Sequence, residues 1–272
     1  VRSAAIDLGS NSVLLLVQEA DGTVVHDEAR VIGFGRGLGD EGTLDPGRVV
    51  VALEALGEYA ATAKSLGVPP EAVRLGATSA ARRAQDIDVF ARALEAQCGL
   101  RLAVISGEWE ARLSWLGATS LLESGGDLLG LIDLGGGSTE VITGTAEGIS
   151  TRVSLEVGSV RLTEGFLGTG TVDPQSVRPM EEYVSGVVSE GVEGTPGLAL
   201  AVAGSATTLA AMDLGLWVWD PDRVHGHVLD RKTLFHLRNQ LLAADPGQRR
   251  DLVKVSPERA DHLAAGATVI DA

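Results

Sequence analysis

Leu129-Gly130-Leu131-Ile132-Asp133-Leu134-Gly135-Gly136-Gly137-Ser138-Thr139, continuing as Glu140-Val141-Ile142-Thr143, reads as strand, polar glycine turn, strand. The same reading fits Ala4-Ala5-Ile6-Asp7-Leu8-Gly9-Ser10-Asn11-Ser12 followed by Val13-Leu14-Leu15-Leu16-Val17, and the two aspartates lie 126 positions apart. Two matched strand–turn–strand openings predict duplicated α/β domains facing one another. Gly125-Gly126, just before the second opening, is the expected boundary, giving domains over 1–125 and 126–272. No short-period repeat is visible, which argues against a solenoid.

The segments between the openings alternate as an α/β chain should. Val24 to Ile32 reads as a third strand, and the glycines of Gly33 to Gly39 as a mobile loop. Asp45-Pro46 starts a helix, with a cap residue and a proline at the first helical position, and Gly67 ends it. Strands are expected over Ala72–Thr78 and Leu100–Ile105, with a helix over Ile87–Gln97 between them. A helix beginning near Ser106 carries Trp109, Leu113 and Leu116 on one face. In the second half a strand near Ser150–Leu155 precedes helices near Ser159–Leu167 and Pro174–Glu190. Leu198–Ala203 reads as a short apolar strand opening into a helix at Gly204. Further helices are expected over Asp230–Ala243 and from Ser256 onward, where Ser256-Pro257 reads as a cap.

Hydrophobic residues make up 44 % of the 272, enough for buried cores, and 35 glycines imply many tight turns. The formal net charge of −15 repels polyanions at long range and argues against general nucleic-acid binding. A phosphate-rich ligand would need backbone amides, a few arginines and a metal to overcome that field locally. Cys98 is the only cysteine, so no internal disulfide forms, which fits a reducing compartment. No signal peptide is read at the N-terminus, and no apolar run approaches the ~20 residues of a membrane span.

The two glycine turns are phosphate-loop candidates. Gly9, Ser10, Asn11 and Ser12, and Gly135, Gly136, Gly137 and Ser138, let the backbone approach an anion and add side-chain donors. A dinucleotide fingerprint would open a helix at such a turn; here β-prone residues follow, so that reading fails. An aspartate at the strand end suits a Mg²⁺ or water role rather than direct phosphate contact. Gly204-Ser205-Ala206-Thr207-Thr208 opens a helix after a strand, where exposed N–H groups attract anions; a small-residue turn with an ordinary cap accounts for it equally well. Glu108 and Glu110 lie in the first turn of a helix, a placement the helix dipole favours and one that keeps a general base ionised. Arg82 and Arg83 follow a strand and are either surface arginines or a phosphate clamp.

The chain resembles the exopolyphosphatase / guanosine pentaphosphate phosphohydrolase (Ppx/GppA) family. The resemblance is carried by Asp7 to Ser12, Ala77-Thr78-Ser79-Ala80-Ala81-Arg82, Ile105-Ser106-Gly107-Glu108-Trp109-Glu110-Ala111-Arg112-Leu113, Ile132 to Glu140, Gly158-Ser159-Val160-Arg161-Leu162-Thr163, Ala203 to Leu209 and Val224-His225-Gly226. It implies two actin-like domains of the acetate kinase, sugar kinase, heat-shock chaperone and actin superfamily (ribonuclease H-like), with a cleft between them. It also implies that Glu110 activates the attacking water, that Asp133 and Glu140 serve Mg²⁺ (or another hard divalent cation) and catalysis, and that Arg82 lies near the reacting phosphate. The phosphate would be held by Gly9 to Ser12, Gly135 to Ser138, and Gly204 with Ser205. Trp109 stands where the family has a first acidic residue, and members usually add a strand and a Gly-rich segment beyond the position of Ala272.

The function so implied is hydrolysis of the terminal phosphoanhydride of polyphosphate in the cytoplasm. Guanosine pentaphosphate hydrolysis, a silent alarmone-binding sensor and an actin-like-fold ATPase or kinase are the alternatives. The expected partners are polyphosphate or guanosine pentaphosphate, with no nucleic acid and no membrane, and a homodimer left open.

Overall fold

The computed structural model describes residues 1–38, 42–120, 128–145, 148–191 and 196–272. The boundary expected at Gly125-Gly126 lies outside the described residues. The chain divides into two compact units, Val1–Gly107 and Glu108–Ala272. Both are α/β, each built on one mixed sheet.

In the first unit β1 (Ser3–Leu8) and β2 (Ser12–Gln18) form an antiparallel hairpin, extended by β3 (Val24–Val31). After α1 (Pro46–Ser65), β4 (Arg74–Ala77) returns parallel to β1. The short α2 (Ser79–Arg83) and α3 (Ile87–Cys98) lead to β5 (Leu102–Val104), and the sheet order is β3-β2-β1-β4-β5. Period-two alternation buries Ala4, Ile6 and Leu8 of β1 with Val13, Leu15 and Val17 of β2, in one core with Leu56, Tyr59 and Ala63 of α1. Asp45 caps α1 by accepting from the Arg48 amide at 2.9 Å, and Pro46 occupies the first helical position, where its missing N–H costs nothing.

The run from Gly33 is not the mobile loop that glycine content suggests, as far as Leu38; Gly39 lies outside the described residues. Phe34 and Leu38 are fully buried and belong to the core, so two apolar anchors outweigh the freedom of the glycines between them.

In the second unit α4 (Gly107–Thr119) precedes β6 (Leu129–Leu134), β7 (Thr139–Thr145) and β8 (Gly148–Leu155). Then come α5 (Ser159–Leu162), which runs on into a π turn over Thr163–Leu167, and α6 (Pro174–Gly191). Next, β9 (Leu198–Val202) pairs parallel with β6, giving the order β8-β7-β6-β9. The remainder is helical: α7 (Ala203–Asp213), α8 (Pro221–Val224), α9 (Arg231–Ala243), α10 (Pro246–Leu252) and α11 (Ala260–Asp271). Ser256 holds the N-cap position its sequence suggests, of the 3₁₀ turn Pro257–Arg259, but its side chain makes no capping bond.

Two layers cover this second sheet. On one face Ala111 and Trp115 of α4 pack with Leu131 and Ile142. On the other, Leu134 and Leu155 join Met180, Leu209, Leu237 and Leu263 from four helices. The α4 stripe Trp109, Leu113 and Leu116 is 55 %, 51 % and 56 % exposed, so it is the solvent face of the helix. The opposite face carries Ala111 and Trp115 with Glu110 and Ser114 beside them, and that is the face laid on the sheet.

Candidate functional site

The second hairpin turn, between β6 and β7, is shaped by what binds its carbonyls. The Gly135 amide closes the turn by donating to Ser138 O at 3.0 Å. The Gly135 carbonyl accepts from the Ser159 amide at 3.0 Å. The Gly136 carbonyl accepts from the amides of Val160 at 2.9 Å and Arg161 at 3.0 Å, and the Gly137 carbonyl from Arg161 Nε at 2.9 Å. A carbonyl and the following N–H point opposite ways across a trans peptide. Every one of these bonds therefore turns an amide outward. The N–H groups of Gly136, Gly137 and Ser138 find no acceptor among the described residues, although all three residues are buried. Orphan donors clustered on one turn are the arrangement by which a backbone nest can receive an anion.

The first hairpin turn uses the same device with other partners. Gly9 donates to Ser12 O at 2.9 Å. The Asn11 carbonyl accepts from the amides of Ile32 and Gly33 at 2.9 Å each, and the Ser10 carbonyl from Gly35 at 2.7 Å. Ser10 is buried, and the Asn11 side-chain oxygen is buried with no donor among the described residues. Arg82 lies on α2, which follows β4, the parallel neighbour of β1; its Nη1 donates to the Ile105 carbonyl at 3.1 Å, and the side chain is half-buried.

Asp133 and Glu140 face each other across the β6–β7 pair, so their side chains share the sheet face that α4 covers. Ser114 Oγ of α4 donates to Asp133 Oδ2, and Ser154 Oγ donates to Glu140 Oε1 at 2.7 Å. Glu140 is 1 % exposed. Burial, and after it the charge of Glu110, push its carboxyl up to about 7; Asp133 adds to this, and the Ser154 and Ser138 hydroxyls oppose it. Asp133 is also raised by burial, against the Ser114 bond. Neither carboxylate forms an ion pair with a lysine or arginine among the described residues. Glu110, in the first turn of α4, is half-buried and brings a third acid into this field.

The sequence profile of the Ppx/GppA phosphatase family matches residues 15–272. The chain belongs to that family. Exopolyphosphatase 2 of Mycobacterium tuberculosis is 32 % identical over 287 residues, covering 99 % of this chain and 89 % of that one. A guanosine-5'-triphosphate,3'-diphosphate pyrophosphatase of Vibrio parahaemolyticus is 27 % identical over 98 % of this chain and 53 % of its own length. Among solved structures, an exopolyphosphatase-like protein superposes with a TM-score of 0.91 at 29 % identity, over 100 % of this chain and 87 % of that one. The Aquifex aeolicus family member gives 0.80 at 29 % identity, over 100 % and 89 %.

In this Ppx/GppA chain the structure brings Glu110, Asp133, Glu140 and the Gly135–Ser138 turn together within the second unit. Gly204 and Ser205 adjoin them, because β6 and β9 run parallel with Asp133 opposite Val202, so both turns leave the same sheet edge. Gly9–Ser12 and Arg82 are neighbours within the first unit by the same logic, through the β1–β4 pair. Among the described residues no group of three or more His, Cys, Asp or Glu side chains is spaced as a complete metal site, and no helix is long and apolar enough to cross a membrane.

Sequence reasoning missed Arg259. Its guanidinium lies on Gly204 at the start of α7, where any Cβ would overlap it, and it has no hydrogen-bond acceptor among the described residues. Burial depresses its basicity, and Glu258 is the charge that offsets this. The residue just before Gly204, Ala203, is the sole non-glycine with positive φ among the described residues, at 68°, and such strain concentrates at functional turns. Its place between the 3₁₀ turn Pro257–Arg259 and the start of α11 shows only in the folded chain.

Proposed function

We propose that this chain is an exopolyphosphatase that removes the terminal phosphate of polyphosphate. The observation that carries this reading is the pairing, on one hairpin, of three amides without acceptors and two carboxylates without cations among the described residues. The amides supply an anion site. The carboxylates, all oxygen and unneutralised, suit a hard divalent cation such as Mg²⁺, which takes one or two carboxylates and completes its shell with water and phosphate. When bound, that ion would neutralise charge on the phosphoryl group.

The remaining roles fall to the chain's own side chains. The amides of Gly136, Gly137 and Ser138 orient the terminal phosphate, and Arg82, Arg259 and the turns Gly9–Ser12 and Gly204-Ser205 hold phosphate oxygens. A carboxylate oxygen of Glu110 accepts a proton from water as the water oxygen bonds to phosphorus. The anhydride P–O bond breaks, and the shortened chain leaves with orthophosphate released. The fit of two acids to a cation, with Glu110 outside the β6–β7 pair, is what assigns the base to Glu110. A single cysteine and the absence of long apolar helices among the described residues fit a cytoplasmic enzyme.

Guanosine pentaphosphate ends in the same anhydride and is the second reading, supported by the Vibrio relative's name. Phosphate release from polyphosphates of several lengths, guanosine pentaphosphate and ATP, side by side with Mg²⁺, tests both. Fastest turnover on polyphosphate is expected. Faster release from guanosine pentaphosphate would move the assignment to the second reading, and release from ATP alone would sink both.

A further inference from the structure

We propose that Arg161 is a positioning residue of the second phosphate loop, acting through the backbone and never touching the phosphate. The proposal rests on the reading that Gly136, Gly137 and Ser138 bind phosphate, and it deepens it by naming what aims them. Three carbonyls of the loop are pinned. Two are pinned by backbone amides of α5, a device any residue could supply, but the Gly137 carbonyl is held by a side chain, Arg161 Nε, at 2.9 Å. That carbonyl shares its peptide plane with the Ser138 N–H. Fixing the one aims the other.

Two further observations support a built device. The start of α5 is in backbone contact with the loop: a Cβ on Gly158 would lie 2.6 Å from Gly137 N, so the glycine is what allows Arg161 to approach. The far end of the guanidinium is tethered, because Nη2 of Arg161 donates to Glu156 on the strand-to-helix connection. The fork geometry of arginine serves both acceptors at once, which a lysine cannot do. The half-buried side chain is thus held at two points, while its charge is largely offset by Glu156.

The test is an amide titration. ¹⁵N-labelled protein is titrated with tripolyphosphate, and the shifts of Gly136, Gly137 and Ser138 are followed together with the dissociation constant. All three amides should shift in the parent. In Arg161→Gln the Ser138 shift should be reduced most and binding should weaken about tenfold, the scale of one charge-assisted bond. Glu156→Gln loosens the tether while making the site less negative. Positioning predicts binding weaker by about twofold to threefold, whereas a purely electrostatic role predicts tighter binding and would overturn the proposal. Arg161→Lys keeps the charge and one donor; an intermediate constant supports positioning, and full restoration to the parent value counts against it. Should Arg161→Gln fail to fold, the lysine and Glu156→Gln arms still decide. A parent whose three amides ignore tripolyphosphate would instead refute the phosphate-loop reading itself. Parent-like shifts in Arg161→Gln would refute only the role of Arg161.

Discussion

The two hairpins share one backbone frame, although their loop residues differ. In each, a glycine amide closes the turn onto a serine carbonyl three residues on, and other backbone amides pin the loop carbonyls. In each, an aspartate is the last residue but one of the first strand. The difference is the residue opposite it. Asp7 faces Leu14, which is 40 % exposed, whereas Asp133 faces Glu140, which is 1 % exposed beneath α4. A shared frame thus serves two ends. The first turn stands on a sheet face where both Asp7 and Leu14 are exposed. The second gains an acid pair, a helix that covers it and a third acid on that helix. The proposed cation and proton chemistry therefore draws on residues of the second unit.

The sharpest way to break that comparison is Glu110→Gln, which keeps size and hydrogen bonding but removes the base. Turnover should fall about 10²–10⁴-fold, with tripolyphosphate binding retained, as single-turnover phosphate release and equilibrium binding would show. Parent-rate hydrolysis would mean that the acids of the second unit act only through the cation.

Glu140→Gln probes the acid pair itself, and here pH gives the sign. The folded carboxyl is raised from an ordinary 4.5 to about 7. Ionising it in the metal-free protein therefore costs stability. The cost is absent below about 4.5, grows as pH rises through the window to about 7, and is complete above it; the size of the shift corresponds to about 3 kcal/mol. Metal-free Glu140→Gln should accordingly gain on the parent between pH 5 and pH 8 in urea midpoints, while losing Mg²⁺-dependent turnover. For the parent, Mg²⁺ affinity should rise over the same window as the competing proton leaves. A stability difference that is flat with pH would show that Glu140 ionises normally.

How far this could be read from the sequence depends on whether the signal was local. Strand–turn–strand openings follow from alternation around a glycine turn, and α1 follows from Asp45-Pro46, so these elements fall where the pattern puts them. The short helix α2 carrying Arg82 is too brief to show a period. The stripe Trp109, Leu113, Leu116 has helical spacing but faces solvent, because a second apolar stripe, Ala111 and Trp115, packs on the sheet and carries Ser114 to Asp133. Arg259 reaches Gly204 only when α11 packs beside α7, a contact between segments more than fifty residues apart that no local pattern encodes.

The first unit can be tested against its own neighbours. Arg82→Ala should lower kcat/KM by about tenfold to a hundredfold, the range for a charge-assisted phosphate contact, and Arg83→Ala should do much less. The two lie side by side on α2, but Arg82 is the one that reaches the Ile105 carbonyl. Equal losses from both would reduce the first unit's contribution to a diffuse positive field rather than a specific clamp.

The smallest effect is expected from Glu108→Gln, and it is the control for the largest. Glu108 and Glu110 share the first turn of α4 and the same chemistry, so a helix-dipole account alone would treat them alike. The structure separates them. Two residues along a helix is about 200° of rotation, and Glu108 is turned outward to an exposed ion pair with Arg152, whereas Glu110 lies in the electrostatic reach of Glu140. Exposed pairs contribute about 0–1 kcal/mol, so melting should shift little and turnover should stay within about twofold of the parent. The pair of variants therefore isolates direction from charge. If Glu108→Gln costs as much turnover as Glu110→Gln, what matters is negative charge at the start of α4, and the specific base is refuted; if only Glu110→Gln is lost, the acid facing the β6–β7 hairpin is the one that takes the proton.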